Sequence, residues 1–214
     1  MKTPVNAHTL KQHITYNWWK YLLIVLLSVG LVDLLYSVTA YRSPREKTVS
    51  LYVYGYTAEE ALQQYLDSVR EAEMPDMEVV NAQALIIDDT YGPLQLMTYM
   101  AAGEGDLYLL PREQFLSYAA SGSLVALEED PELMETFNEA GANLQNGWRR
   151  NTETGETHLY GIPQNKLPGL SQYAYTQDGF LCQIISGGNA ENAAKLLRIL
   201  CRDLIADPTQ EPAQ

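Results

Sequence analysis

Several side chains that can hydrogen-bond or stack against a ligand come just after, or close to, predicted β-strands. Tyrosine rings offer a flat apolar face with a hydroxyl at one end, which suits a sugar or a peptide. A hydroxyl, a carboxylate and a guanidinium add directional hydrogen bonds. The candidate ligand-binding residues are Tyr56, Thr57, Asp89, Tyr91, Arg112 and Tyr160.

A plainer interpretation of these residues stays open. The chain has 15 tyrosines, and many of them fall at positions that predict half-buried sheet or helix packing. Arg112 is likewise either a groove residue or a surface charge at a helix start. The sequence alone does not choose between a ring-lined groove and ordinary packing.

Motifs for catalysis are missing from the sequence. No Gly-x-Ser-x-Gly elbow, Walker loop or Gly-x-Gly-x-x-Gly turn follows a predicted strand. His158 has no second ligand at metal spacing and is predicted to be a packing residue in a hairpin strand. We therefore expect a protein that is not an enzyme and that uses no metal and no cofactor.

A short acidic stretch leaves two interpretations open. Asp88 and Asp89 could join Glu104 or Asp106 in a cation site. Alternatively, adjacent carboxylates at a helix entrance cap the helix and interact with its dipole.

The elements that must position these residues alternate between strand and helix. Period-2 or continuous apolar runs predict strands at 49–54, 77–87, 106–110 and 180–185, and a hairpin is predicted with its tip at 152–157. Helical patterns occupy the intervals and the segment after Asn189. This order predicts an α/β domain over residues 49–206 with a mostly parallel sheet, followed by a flexible tail at 207–214. In such sheets ligands bind outside the carboxyl ends of the strands.

Two local details of the helices are specific enough to test. Thr57 and Glu60 have the spacing of a capping box for the first helix of the domain. The helix before Gly103 is expected to bury Leu94, Met97, Met100 and Ala101.

Residues 21–41 are mostly apolar and long enough to cross a bilayer once. We predict a short cytoplasmic tail at 1–20, a transmembrane helix at 21–41 and a linker at 42–48. Two alternatives are a cleaved signal peptide, for which 37–40 supplies a passable cleavage site, and a buried core helix. Asp33 near the middle of the span either contacts a partner helix or lies near the headgroups.

The globular remainder is strongly acidic. Taking the six basic and two acidic residues of 1–47 from totals of 14 and 27 leaves 8 basic and 25 acidic residues, a net charge of −17. Such a surface repels nucleic acid and anionic headgroups, so no nucleic-acid partner is expected. Cys182 and Cys201 both lie in apolar patterns and are predicted to be separate buried thiols, with a disulfide as the alternative.

Three segments in order resemble extracellular solute-binding proteins of bacterial ABC importers. They are the helix end, strand and turn at 101–127, the hairpin at 155–163 and the helix start at 189–197. The resemblance implies a domain like one lobe of the periplasmic-binding-protein fold, displayed outside a bacterial cell with the N-terminus inside. It also implies a role in transport, with a sugar, peptide or amino acid as the bound solute.

The domain departs from that family because it has residues for about one lobe, and one wall cannot close on a ligand. The sequence therefore leaves two binding functions open. Either a small solute lies in an open cleft, or a partner protein covers the face where a second lobe would pack. The alternative is a structural or regulatory subunit of a membrane complex that uses Asp33 as its contact.

Overall fold

The computed structural model describes residues 7–85, 87–88 and 91–205. The candidate residue Asp89 lies outside the described residues. The chain divides into two compact units, Met1–Arg42 and Ser43–Gln214. They are described separately below.

The first unit contains the long helix α1, Ala7–Thr39. Its segment Thr15–Thr39, 25 residues with a mean hydropathy of 2.2, is long and apolar enough to cross a membrane. The side chains of Ser28 and Thr39 donate hydrogen bonds to carbonyls four residues earlier, at 2.8 and 2.6 Å. These bonds satisfy polar groups within the helix itself, as a bilayer requires. The helix begins well before residue 21, where the sequence placed the start of the span.

The second unit alternates strands and helices, as the sequence predicts. Its longer strands are β1 Thr48–Val53, β3 Val79–Ala84, β4 Leu107–Leu110 and β9 Phe180–Gln183. Shorter strands are β2 Tyr56–Thr57, β5 Trp148–Arg150, β6 Thr157–Leu159, β7 Ile162–Pro163 and β8 Ala174–Tyr175. The helices are α2 Glu59–Glu73, α3 Tyr91–Ala102, α4 Arg112–Ala120, α5 Pro131–Glu139 and α6 Ala190–Leu204.

The central sheet has five strands in the order β3-β1-β4-β9-β7. β1 pairs in parallel with β3 and with β4, whereas β9 is antiparallel to both of its neighbours. Four of the five strands therefore run in one direction, and the prediction of a mostly parallel sheet is confirmed. β2 with β8 and β5 with β6 form separate two-stranded pairs, the latter being the predicted hairpin.

Alternating side chains of the central strands supply two cores, one on each face of the sheet. On β1, Leu51 belongs to the core that α2, α5 and α6 cover, and Tyr52 belongs to the core that α3 and α4 cover. Leu109 and Leu110 divide in the same way on β4. A strand with helices on both faces buries both sets of side chains, which explains its nearly continuous apolar sequence.

The cysteines lie in different cores. Cys182 belongs to the α3–α4 side and Cys201 to the α5–α6 side, and both are free and buried. The prediction of two separate core thiols is confirmed. Burial raises the pKa of each thiol above its ordinary value, so both stay protonated near neutral pH.

The buried stripe predicted for α3 is wrong in part. Met100 is buried, but Leu94 and Met97 are 56% and 55% exposed, and Leu96 is completely buried instead. The sequence is apolar almost all the way round this helix, so its pattern does not select one face. The packing partner selects the face, since Leu96 and Met100 are the residues that reach the Tyr52 side of the sheet.

The predicted capping box is also wrong. Ala58 occupies the N-cap of α2 and no side chain caps the helix. Thr57 pairs with Ala174 as part of β2, and its hydroxyl oxygen is buried without a hydrogen-bond partner. Because Thr57 pairs with β8, it is not available as the helix cap that its spacing from Glu60 predicted.

Candidate functional site

A cavity of about 340 Å³ opens at the edge of the sheet where β4 and β7 end and β9 begins. This is the carboxyl edge, where open α/β sheets bind ligands. Its volume lies near the lower end of the range for small-molecule pockets. We call it the carboxyl-edge cavity, and its lining residues are Arg112, Asn146, Pro163, Gln164, Asn165, Pro168, Ser171, Tyr175, Thr176, Asp178, Gly179 and Phe180.

Gln164 holds one wall of the cavity in place. This residue follows β7 directly and is only 5% exposed. Its side-chain amide donates to the carbonyl of Ala174 at 2.7 Å and accepts from the amide of Thr176 at 3.1 Å. The nitrogen and the oxygen of the side-chain amide both form hydrogen bonds with the segment around β8, and these bonds fix that segment relative to the sheet.

Two backbone features allow the close approach of this wall. A Cβ on Gly179 would lie 2.5 Å from Oε1 of Gln164, so a larger residue there would displace the Gln164 side chain. Asp178, beside it, has a φ of +47°, in the left-handed region that residues other than glycine seldom adopt. The turn before β9 is therefore shaped by its contact with Gln164.

The structure does not bring the predicted ligand-binding residues together in one site. Arg112, the first residue of α4, lines the cavity. Tyr56 pairs with Tyr175 across β2 and β8 but does not itself line the cavity, and it is 71% exposed. Tyr91, at the start of α3, is 67% exposed and also lies outside the lining.

The remaining two candidates are largely enclosed by protein. Tyr160 is 4% exposed and contacts His158 edge-on, with ring centroids 5.7 Å apart. Thr57 lies in β2 with a buried hydroxyl oxygen. Neither side chain lines the cavity.

Several polar residues of the cavity were missed in the sequence. Gln164 and Asn165 follow the short strand β7, and Thr176 follows β8. One signal was present, because the Ile-Pro pair at 162–163 ends a strand and the next residues must lie at its carboxyl end. β7 pairs with β9, which does not follow it directly in the sequence. The sequence alone therefore did not show that β7 ends at this edge of the sheet.

Arg149, in β5, does not line the cavity but packs against α4 beside it. Its guanidinium carbon is 5.6 Å from the centre of the Phe115 ring in α4. Nη1 donates to the carbonyl of Trp148 at 2.6 Å, whereas Nε is buried and has no hydrogen-bond partner. Burial, and secondarily the charge of Arg112, lowers the pKa of Arg149 below its ordinary value.

His158 lies in the hairpin strand β6 and packs against Tyr160, as predicted, but it also contacts two carboxylates that the sequence did not indicate. Its Nδ1 lies 2.5 Å from Oε1 of Glu128, and its Nε2 lies 3.5 Å from Oε2 of Glu156. The second carboxyl oxygen of Glu128 accepts from the amide of Leu159 at 2.9 Å. The hydrogen bond that the imidazole donates to the Glu128 carboxylate is the main reason that the pKa of His158 is raised above its ordinary value.

Replacing His158 by glutamine is expected to change how stability depends on pH. A raised pKa in the folded state means that the ion pair stabilises fully below the unfolded-state pKa of about 6.5 and is lost as pH rises through the folded-state value. The melting temperature of His158→Gln should therefore fall furthest below that of the wild type at pH 5.5, and the gap should narrow by pH 8.5. Thermal unfolding of both proteins at several pH values measures this gap. A difference in melting temperature that stays constant from pH 5.5 to pH 8.5 would contradict the assignment of His158 to this ion pair.

The acidic residues act as caps and backbone acceptors. A carboxyl oxygen of Asp88 accepts from the amide of Tyr91 at 2.8 Å, at the start of α3. Asp106 accepts from the amides of Ser50 and Asn189 at 3.0 and 3.1 Å. Within residues 7–85, 87–88 and 91–205, no three His, Cys, Asp or Glu side chains are grouped so that they could hold a metal ion.

Comparisons with known proteins give little beyond this geometry. No family model matches the chain, and no curated protein sequence matches it. A solved structure described as extracellular solute-binding protein family 1, from Alicyclobacillus acidocaldarius, is 20% identical with a TM-score of 0.39. The match covers 57% of this chain and 29% of that one. The neighbour's name agrees with the family that the sequence segments resemble, but so low a TM-score does not assign the chain to it.

Proposed function

We propose that this protein is a non-catalytic binding protein that holds a small solute in the carboxyl-edge cavity. The cavity itself carries the proposal, since it lies where the fold class binds ligands and has the volume of a small-molecule pocket. Its lining combines a guanidinium, a carboxylate, amides and hydroxyls with the rings of Tyr175 and Phe180. Such groups orient a polar ligand and cover its apolar face.

The proposal includes a membrane anchor. The apolar helix α1 would cross the bilayer once, with the N-terminus inside the cell and the acidic globular unit outside. The length and hydropathy of Thr15–Thr39 support the single crossing. A partner protein that covers the cavity and closes the open cleft is also compatible with the proposal.

Solute binding is expected to raise the melting temperature of the full chain. The protein should be held in a polyoxyethylene ether detergent, which contains neither sugar nor anionic groups. Monosaccharides, disaccharides, amino acids and dipeptides form the test panel. A solute at 100 times its dissociation constant adds about 2.7 kcal/mol of stability, which is readily measured as a thermal shift.

A matched pair of variants connects any shift to the cavity. Ser171 is exposed and lines the cavity, so Ser171→Trp should fill it and abolish the shift. Ser68, on the exposed face of α2, serves as the control and Ser68→Trp should keep the shift. The proposal fails if no compound shifts the wild type, or if Ser171→Trp responds as strongly as Ser68→Trp.

A second candidate function is that of a subunit in a membrane protein complex. Ser28, Asp33 and Tyr36 share one side of α1 with Val29 and Val32, which concentrates polar groups on a single helix face. Polar side chains within a bilayer commonly bond to a partner helix. Asp33→Leu should then shift the protein to a smaller species in native gels of solubilised membranes, whereas Val25→Leu should not. An unchanged profile for Asp33→Leu would remove this candidate.

A further inference from the structure

Large apolar side chains are exposed on one side of helix α3. Tyr91, Leu94 and Met97 recur at three-residue spacing there, and each exposes more than half of its surface. Ile185, which follows β9, is 61% exposed and lines a groove of about 450 Å³ with Met97 and Ala101. An exposed apolar surface of this kind marks an interaction site. We call it the α3 face, and its residues are Tyr91, Leu94, Met97, Thr98, Ala101 and Ile185.

The α3 face carries no charge, although the globular unit is strongly acidic. The twelve residues of α3 include no acid and no base, and the described residues that line the groove include none either. The acids that flank the helix, Asp88 before it and Glu104 after it, are exposed to water. An apolar strip between two hydrated acids suits a shallow contact with an uncharged surface.

The chain enters the globular unit beside the carboxyl end of α3. The guanidinium of Arg45 donates to the carbonyl of Gly103, the residue that ends this helix. Helix α1 ends at Thr39, six residues before Arg45. Six extended residues span at most about 20 Å. This limit follows from chain length alone and holds for any arrangement of the two units.

A short connection to α1 keeps the α3 face near the membrane that α1 is proposed to cross. The segment Thr15–Thr39 has 25 residues, and a helix of that length measures about 37 Å against a hydrocarbon core of about 30 Å. The end of α1 therefore reaches the lipid headgroups. A tether of this kind gives the nearby bilayer a high effective concentration, so even a weak contact is populated.

The charge of the globular unit selects among the possible occupants of the α3 face. A contact between two copies of the chain would bring two strongly acidic units together, and repulsion opposes this. Anionic headgroups are disfavoured for the same reason. Zwitterionic headgroups have no net charge, and tyrosine and aliphatic side chains are favourable at the boundary between headgroups and acyl chains.

We propose that the α3 face rests on the zwitterionic surface of the bilayer, as a second membrane contact besides α1. This inference goes beyond solute binding, and it rests on the membrane anchor of the proposed function. The contact holds the globular unit against the membrane by its α3 side, whereas the carboxyl-edge cavity lies outside the contact.

The experiment places nitroxide labels on single introduced cysteines of the full chain in phosphatidylcholine nanodiscs. Ala101→Cys reports on the α3 face, Ser68→Cys on the exposed side of α2, and Val29→Cys on α1. The native thiols of Cys182 and Cys201 are buried, so they do not react in the folded protein. Collisions of each label with oxygen, which concentrates in lipid, and with a nickel chelate, which stays in water, identify its surroundings.

The label at Ala101 should collide with the nickel chelate several-fold less often than the label at Ser68, and more often with oxygen. Met97→Glu should remove this difference, because a carboxylate is costly in the bilayer. Gln64→Glu is the matched control, since it adds the same charge on the exposed side of α2 and should leave the difference unchanged. The contact should persist in about 0.5 M NaCl, and anionic phosphatidylglycerol should not strengthen it.

Three results would overturn the inference, and they separate it from the proposed function. If the Ala101 label meets nickel as freely as the Ser68 label while the Val29 label lies in lipid, the contact is absent and the anchor stands. If the Ala101 label is shielded from both oxygen and nickel, protein covers the face instead of lipid. If the Val29 label also lies in water, the membrane anchor fails and the inference with it. The thermal shifts by solutes are measured independently of all three results.

Discussion

Phe115→Ala should lower the free energy of unfolding of the globular unit by about 4 kcal/mol, the largest effect that we expect from a single substitution. The side chain is completely buried and packs against Phe180 at a centroid distance of 4.0 Å. A Cβ on Gly161 would lie only 2.8 Å from its ring, so the surroundings are tightly packed. Truncation therefore removes apolar contacts and leaves a cavity that the neighbouring backbone does not fill.

Urea unfolding of the full chain in detergent, followed by the change in tryptophan fluorescence, measures this loss. Trp148 is the tryptophan of the globular unit, whereas Trp18 and Trp19 lie in α1. A loss of about 4 kcal/mol corresponds to a fall in melting temperature of roughly 8–16 °C for a domain of this size. Phe115→Leu is the matched control and should cost less than half as much, because it keeps most of the buried volume. A loss below about 1.5 kcal/mol for Phe115→Ala would show that the ring is not a central packing element.

Asp106→Ala should destabilise the globular unit by about 3 kcal/mol. Asp106 is 5% exposed and precedes β4. Its carboxylate accepts from the amide of Ser50 in β1 and from the amide of Asn189 before α6. Removing it leaves two enclosed donors without an acceptor, and an unsatisfied buried donor costs about 1–3 kcal/mol.

The same urea measurement applies to Asp106→Ala. Asp76 is an exposed aspartate and provides the control, since Asp76→Ala should change the free energy of unfolding by less than about 0.5 kcal/mol. Equal effects of the two substitutions would mean that the Asp106 hydrogen bonds do not tie β1 to the start of α6. The result does not depend on any ligand, so it tests the fold alone.

The two stability predictions also separate the fold from the site. Phe115 belongs to the core and stacks on Phe180, which lines the carboxyl-edge cavity, so its loss should weaken solute binding as well as stability. Asp106 lies near the opposite, amino edge of the sheet, where a small cleft includes Arg45 and Ser50. Asp106→Ala should therefore destabilise the protein without changing the affinity of the folded fraction.

Local patterns in the sequence determined the kinds of elements and many of their limits. The helices Arg112–Ala120 and Pro131–Glu139 lie in the intervals between predicted strands, where the sequence predicts helices. Gly103 ends α3 with a φ of +65°, as expected of a glycine at a helix end. These features depend on periodicity, caps and backbone freedom within a few residues, so the sequence carries them directly.

The candidate site was predictable only in its general place. The sequence indicated the carboxyl edge of a sheet, and Arg112 does line the cavity found there. Gln164 and Thr176 were missed because they reach that edge through short strands whose partners are distant in sequence. Arg149 was missed because it meets α4 through packing between a hairpin and a helix, which leaves no periodic signal.

By itself the sequence determined an apolar helix able to span a bilayer, an acidic α/β unit and two separate buried thiols. Only the tertiary structure decided that β9 runs antiparallel between β4 and β7, and that α3 buries Leu96 and exposes Met97. It also placed the Arg149 guanidinium over the ring of Phe115. Strand order, the buried face of an apolar helix and the pairing of charges depend on contacts between distant segments, whose free energies no local pattern encodes.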